Sequence, residues 1–331
     1  MTQRPTQRQQ FSKALAILIA STALCASDNQ TAVPDWAFPI NPPRAVGGSS
    51  SEDIATAQHV PRSKETFTRA QLSNLLVTPD WFPRSHTPMP EAVARGRAPD
   101  VYACGYCHLP TGQGRPENAS LAGLPATYII QQVADFKSGV RRSASGGSYL
   151  PTDLMTHIAA LATTEEVASA AEYFSQQHLN PRVRVVESST VPHSHVIGWV
   201  YAEIPGGGEE PLGQRLMEFA PDPIRHENRD DTLRYIAYVP PGSLKRGQSI
   251  ATTGSNGLTV ACVSCHGAEL KGLGLVPQIA GRSPSYLLRQ LLAFQTGARA
   301  SVTGQPMAPV VAKLQLGDMI DVAAYAASLS P

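Results

Sequence analysis

The chain has 331 residues, of which 42% are hydrophobic, 16% charged and 6% aromatic, with a formal net charge of +1. That length suits two small domains or one large one, and the composition excludes a disordered chain, a polytopic membrane protein and a general nucleic-acid binder. Five cysteines are too few for a disulfide-rich scaffold, so their positions matter more than their number.

At the N-terminus, Arg4, Arg8 and Lys13 precede an apolar run from Ala14 to Leu24, followed by small Ala26 and Ser27. A basic stretch, a short apolar stretch and a small-residue exit predict a secretory signal peptide over residues 1–27, and the run is short for a membrane span. The alternative is an uncleaved N-terminal anchor. Leu24 stands where a lipoprotein signal needs a small residue, so Cys25 is not expected to carry lipid. Residues 28–88 are rich in Pro, Ser and Thr and are expected to form an extended arm with one short helix near Arg69–Leu76. Trp36, Trp81 and Phe82 predict that parts of this arm pack on a domain.

The rest of the chain contains one domain written twice. Ala103-Cys104-Gly105-Tyr106-Cys107-His108 matches Ala261-Cys262-Val263-Ser264-Cys265-His266 at an offset of 158 residues. The same register maps Gly114 onto Gly272, Tyr128 onto Tyr286, Gln132 onto Gln290, Gly139 onto Gly297 and Arg141 onto Arg299. Further on the offset becomes 152, pairing Met155 with Met307 and Tyr173 with Tyr325. Repeats of this kind fix the organisation before any motif is read. The copies span roughly 89–180 and 241–331, joined by residues 181–240.

Each copy is expected to be mostly helical. Tyr128, Ile129, Val133 and Phe136, like Leu287, Leu288, Leu291, Leu292 and Phe294, give an apolar face at helical spacing. Gly139 and Gly297 stop those helices. Final helices are predicted over Thr164–Gln177, capped by Thr163 or Thr164 with Glu165 and Glu166 in the first turn, and over Leu316–Leu329. In the connecting insertion, alternation at Arg182 to Val185 and the run Val196–Tyr201 predict a β-hairpin or small sheet, turning at Gly206-Gly207-Gly208. The fold class is therefore mostly α: two tandem helical domains, an extended arm and a small β-containing insertion.

C-x-x-C-H signals covalent attachment of haem c. Two thiols one helical turn apart can form thioethers to the two vinyl groups of one haem, and the next residue, His, becomes the proximal iron ligand. Cys104, Cys107 and His108 form one such set; Cys262, Cys265 and His266 form the other. Covalent attachment holds a haem in a domain too small to offer a large core. A zinc site needs four ligands where each copy clusters three, a thioredoxin-type pair needs a βαβ setting, and a structural disulfide explains neither histidine.

Met155 and Met307 are the candidate sixth ligands. They lie 47 and 41 residues after their histidines, and each stands 18 residues before a matched tyrosine. A Met sulfur raises the reduction potential and closes the iron to outside ligands. Met319 is read as core. In the first copy His157, two residues from Met155, is a rival that would give a His/His haem of lower potential. Arg141 and Arg299 are read either as reaching haem propionates or as solvated helix-end charges, and Tyr128 and Tyr286 as packing residues. His193 and His195 are read as surface residues rather than metal ligands.

In these motifs the sequence resembles the class I c-type cytochromes, specifically two-domain dihaem proteins of the cytochrome c4 kind. The resemblance rests on the two Cys-x-x-Cys-His motifs and the two downstream methionines, and covers a little over half of the chain. It implies small helical haem domains and electron transfer in the bacterial periplasm. It also implies that a proline carbonyl accepts the proximal His N–H. Pro277 in Pro277-Gln278-Ile279-Ala280-Gly281 matches that position, whereas the first copy has Ala119. The arm and the insertion depart from the simple dihaem pattern.

The leading functional reading is an electron carrier with two six-coordinate haems. The alternatives are a dihaem redox enzyme, of peroxidase or thiosulfate dehydrogenase type, and the cytochrome subunit of a membrane-bound dehydrogenase or terminal oxidase. Expected partners are a protein donor and a protein acceptor, with no nucleic acid and no integral membrane segment after signal cleavage. Charge adds one expectation. Residues 89–180 carry six basic and eight acidic side chains, and residues 241–331 seven and three. Such a dipole would turn the second copy toward the more acidic partner.

Overall fold

The computed structural model describes residues 33–43 and 54–331. The expected signal peptide, Cys25 and the beginning of the arm lie outside the described residues. The first copy comprises α2 (Glu91–Ala94), α3 (Cys104–His108), α4 (Ala126–Lys137), α5 (Leu150–Leu161) and α6 (Thr164–Ser175), preceded in the arm by α1 (Arg69–Leu72). Its core is Val93, Leu124, Ile129, Ala171 and Phe174. The α6 start follows from its sequence: the Thr163 hydroxyl accepts the Glu166 N–H at 3.2 Å while the Glu166 carboxylate accepts the Thr163 N–H at 2.8 Å, satisfying two donors that a helix start leaves bare. The α4 helix ends just before Gly139, whose φ of 75° lets the chain leave in the left-handed conformation.

After the insertion, whose own short helix is α7 (Pro223–Glu227), the second copy comprises α8 (Ser243–Gly257), α9 (Val263–His266), α10 (Pro284–Gln295), α11 (Met307–Val311) and α12 (Leu316–Ser328). Ile250, Leu288, Leu292, Met319 and Ile320 form its core, with α12 packed on α8 and α10. The copies differ at their first helix, one turn in α2 and several turns in α8. Pro79, Pro83, Pro88 and Pro90 crowd the approach to α2, and the residue before each proline is pushed out of helical conformation. No proline falls within α8. Among the described residues no helix is long and apolar enough to cross a membrane.

The insertion builds more sheet than a hairpin. Two short strands of the arm, β1 (Ala57–Gln58) and β2 (Phe67–Thr68), pair with each other. In the insertion, β3 (Val183–Glu187), β4 (Thr190–Pro192), β5 (Ser194–Ile197), β6 (Val200–Glu203), β7 (Glu209–Pro211), β8 (Met217–Phe219) and β9 (Tyr235–Val239) follow. Five of them form a mixed sheet in the order β3-β9-β8-β6-β5, and β4 pairs with β7. Tyr235, Ala237 and Val239 turn inward with strand alternation. The parallel pairing of β3 with β9 brings the two ends of the insertion together, which no local pattern announces. The predicted glycine turn connects β6 to β7, with Gly206 and Gly208 at φ of 73° and 74°.

Parts of the described arm are packed against the rest of the chain. Ala37 and Phe38 are buried in the core of the second copy. Trp81 joins Val60 and Leu72 in a small core of its own, and its indole N–H donates to the Asn228 carbonyl of the insertion at 2.7 Å. Farther on, the arm pairs with the first copy: Thr78 N–H donates to Ala94 and Ala103 N–H to Leu75.

Candidate functional site

In both copies the C-x-x-C-H motif folds as one helical turn, which sets its two thiols on neighbouring positions and ends on the histidine. The chain then reverses through a residue with positive φ, Leu109 at 67° and Gly267 at 81°. This reversal lets the loop return beneath the imidazole. His108 Nδ1–H donates to the Ala119 carbonyl and His266 Nδ1–H to the Pro277 carbonyl, both at 2.8 Å. The carbonyl thus survives the replacement of proline by alanine. Burial pushes both imidazoles below the usual histidine range, so each ring is neutral, with Nδ1 as donor and Nε2 left as a metal-ligating lone pair. Burial also pushes the Cys104 thiol up to about 12 and the Cys262 thiol to about 11. Among the described residues no three His, Cys, Asp or Glu side chains converge as a metal site, and His193 stands 3.5 Å from Glu210 alone.

One continuous cavity of about 710 Å³ runs through both copies. Cys104, Cys107, His108, Met155, Cys262, Cys265, His266 and Met307 all line it. Met155 enters from α5 and Met307 from the first residue of α11. His157 is not among the lining residues: its Nε2 lies 3.2 Å from the Asp100 carbonyl oxygen and its ring beside Tyr102. Met319 is fully buried in α12.

The two copies meet about an antiparallel bridge between Arg141 and Arg299. Both arginines are buried, which overturns the reading of solvated helix-end charges. Each reaches into the other copy. Arg141 donates to Gln132, to the Tyr286 hydroxyl at 2.8 Å and to Gln290. Arg299 donates to Gln290, to the Tyr128 hydroxyl at 2.9 Å and to Gln132. Arg282 crosses in the same way, donating to the Ser120 and Ala122 carbonyls, and burial pulls its guanidinium down to about 10. The hydrogen bonds of these three buried cations all end on neutral oxygens, although burying a charge without a countercharge is costly. All three line the cavity. So do Arg299 and Tyr149, whose Nε and hydroxyl are buried without a hydrogen-bond partner. Cations and spare polar atoms facing an apolar cleft suit a flat apolar group that carries carboxylates, as haem does.

The same burial corrects the charge count. Arg282, Arg289 and Arg299 of the second copy are buried, and Arg246 is paired with Asp321 at 2.6 Å. Much less positive charge reaches the surface of that copy than its sequence implies.

No family model matches the chain. Cytochrome c4 of Azotobacter vinelandii is 24% identical over 258 residues, covering 77% of this chain and 96% of that protein. A protein named thiosulfate dehydrogenase electron acceptor, from Thiomonas intermedia, is 25% identical and covers 63% of this chain and 69% of its own. Cytochrome c-554(547) of Halothiobacillus neapolitanus is 34% identical over 87 residues, which are 24% of this chain and 96% of that protein. The chain belongs to the class I c-type cytochromes. It is a dihaem cytochrome of the c4 kind, with two covalently bound haem c groups, and it transfers electrons. Bound haem supplies a one-electron iron couple. The residues present fit such a group: the thiols of the two turns would attach it, the imidazoles held by the Ala119 and Pro277 carbonyls would ligate its iron in fixed orientation, and the apolar cleft would keep water from it.

Reading the sequence did not single out Arg282, Arg289 or the pair Gln132 and Gln290 as parts of this cytochrome's site. For the glutamines a signal existed, since they hold matched places in the repeat. For the arginines there was none beyond charge.

Proposed function

We propose that this cytochrome is an exported, periplasmic electron carrier. Its first haem is attached through Cys104 and Cys107 with His108 and Met155 as axial ligands, its second through Cys262 and Cys265 with His266 and Met307. The observation that carries the axial assignment is the shared cavity lining: both histidines and both methionines face it and His157 does not. Two irons saturated in this way leave no site for a substrate, which favours carrier over enzyme. The proposed donor is a dehydrogenase, in line with the name of the Thiomonas relative, and the proposed acceptor is a membrane-bound oxidase.

The test is an intact mass under denaturing conditions, followed by difference spectra with carbon monoxide. Two haem masses and no carbon monoxide binding are expected. Met307→Ala and Met155→Ala should each open one iron to carbon monoxide and lower one potential by a sizeable part of the roughly 0.8 V that axial ligation spans. His157→Ala should change neither. A Met307→Ala protein with both potentials unmoved would sink the assignment.

A further inference from the structure

The two attachment turns, alike in sequence and local conformation, sit in opposite surroundings. Residues 113–117, which follow the first turn, are buried, while four of their five counterparts in 271–275 are exposed; Leu273 and Leu275 are 67% and 69% exposed. The turns themselves differ in the same sense. Tyr106 is buried, whereas its counterpart Ser264 and the adjacent Cys265 are exposed.

What covers the first turn is specific to this chain. The Arg229 guanidinium, from the insertion, lies 3.7 Å from the centre of the Tyr106 ring, and its Nε–H donates to the Tyr106 carbonyl at 3.2 Å. The Tyr106 hydroxyl in turn donates to the Leu72 carbonyl of the arm at 2.9 Å. Arg115 donates to the His226 carbonyl at 3.1 Å and pairs with Glu117 at 2.7 Å. Arg229 also donates to the Leu72 and Glu227 carbonyls, and a cation stacked on an aromatic face and tied to three carbonyls is a rigid arrangement. At the positions of Tyr106 and Arg115 the second copy has Ser264 and Leu273, which offer neither ring nor cation.

A thioether bond places the haem edge that carries it beside its cysteine. We infer that the arm and the insertion form a screening layer over the Cys104 and Cys107 edge of the first haem, leaving the second copy as the side open to outside redox partners. Arg229 and Tyr106 are positioning residues in this layer. The inference rests on the attachment proposed above.

A neutral gadolinium chelate added to the oxidised holoprotein reads haem exposure directly, through broadening of the haem-methyl proton resonances. The two sets are assigned by which one moves in Met307→Ala. The set that moves should broaden to loss while the other stays sharp, and Arg229→Ala should make the sharp set broaden as well. Equal broadening of both sets in the wild-type protein, or selective broadening of the first, overturns the inference. A sharp first set in a folded Arg229→Ala protein removes Arg229 from the layer. Intact mass of the same sample separates the two failures: two haems with equal broadening sink the layer, and a missing haem sinks the attachment.

Discussion

The first copy holds its attachment turn beneath the arm and the insertion, and the second holds the same turn at the surface. Their inner parts are nevertheless matched: α4 and α10 are of equal length, and each proximal histidine donates to a backbone carbonyl at the same distance. Even the turn geometry is kept with exchanged residues. Positive φ occurs at Leu109 and Gly112 in the first copy and at Gly267 and Leu270 in the second, so each copy places one leucine in the left-handed region where glycine is the easy choice. Duplication thus preserved what a haem requires of its turn and altered what surrounds it.

The sharpest way to break this comparison is at the arm. Trp81→Ala empties a buried aromatic site that has no counterpart around the second copy, and should cost about 3–5 kcal/mol. Amide exchange should rise in residues 104–118 and stay unchanged in 262–276; a uniform rise would mean that the two copies do not differ in their dependence on the arm.

Acid should act on the insertion next. His226 is buried, with its Nδ1 2.9 Å from the Tyr235 hydroxyl, and burial lowers its pKa from 6.5 to about 4. The unfolded state therefore takes up the proton first. Stability is fully present above pH 6.5 and is lost as the pH falls toward 4, by about 3 kcal/mol in all from this group. Denaturant unfolding between pH 7 and 4 should show this slope, and His226→Gln should flatten it.

Between the copies the expectation is symmetry. Arg141→Gln and Arg299→Gln each take the arginine donor from one tyrosine hydroxyl and leave Gln132 and Gln290 with one donor fewer, at about 1–3 kcal/mol. Because the two networks mirror each other, the two losses in chemical-denaturation midpoint should be equal; a clear inequality would show that the interface is lopsided too.

The smallest effect is expected at the surface. Lys245→Glu together with Lys271→Glu should slow electron exchange with an acidic partner by an amount equivalent to under about 1 kcal/mol, fading as salt rises. Arg246 is left in place because Asp321 holds it. A rate indifferent to both the substitutions and ionic strength would remove surface charge from partner choice.

The repeat, the two haem-attachment motifs, the helical faces at Tyr128 to Phe136 and at Leu287 to Phe294, and a cap at Thr163 or Thr164 were all legible in the sequence. Each is written in residues a few positions apart, where helical spacing and the reach of one side chain decide the outcome. Met155 and Met307 were legible as a pair because the duplication repeats their spacing. The fate of the arginines was not. Arg299 finds Tyr128 across 171 residues, Trp81 finds Asn228 across 147, and Arg229 finds Tyr106 across 123. A guanidinium has the same formula in solvent and in an interface, so its burial is set by which surfaces the chain brings together. The closure of the insertion by β3 against β9 belongs to the same class. The chemistry of each haem turn is local and the sequence determines it; which turn is covered is a matter of packing between distant segments, and only the tertiary structure decided it.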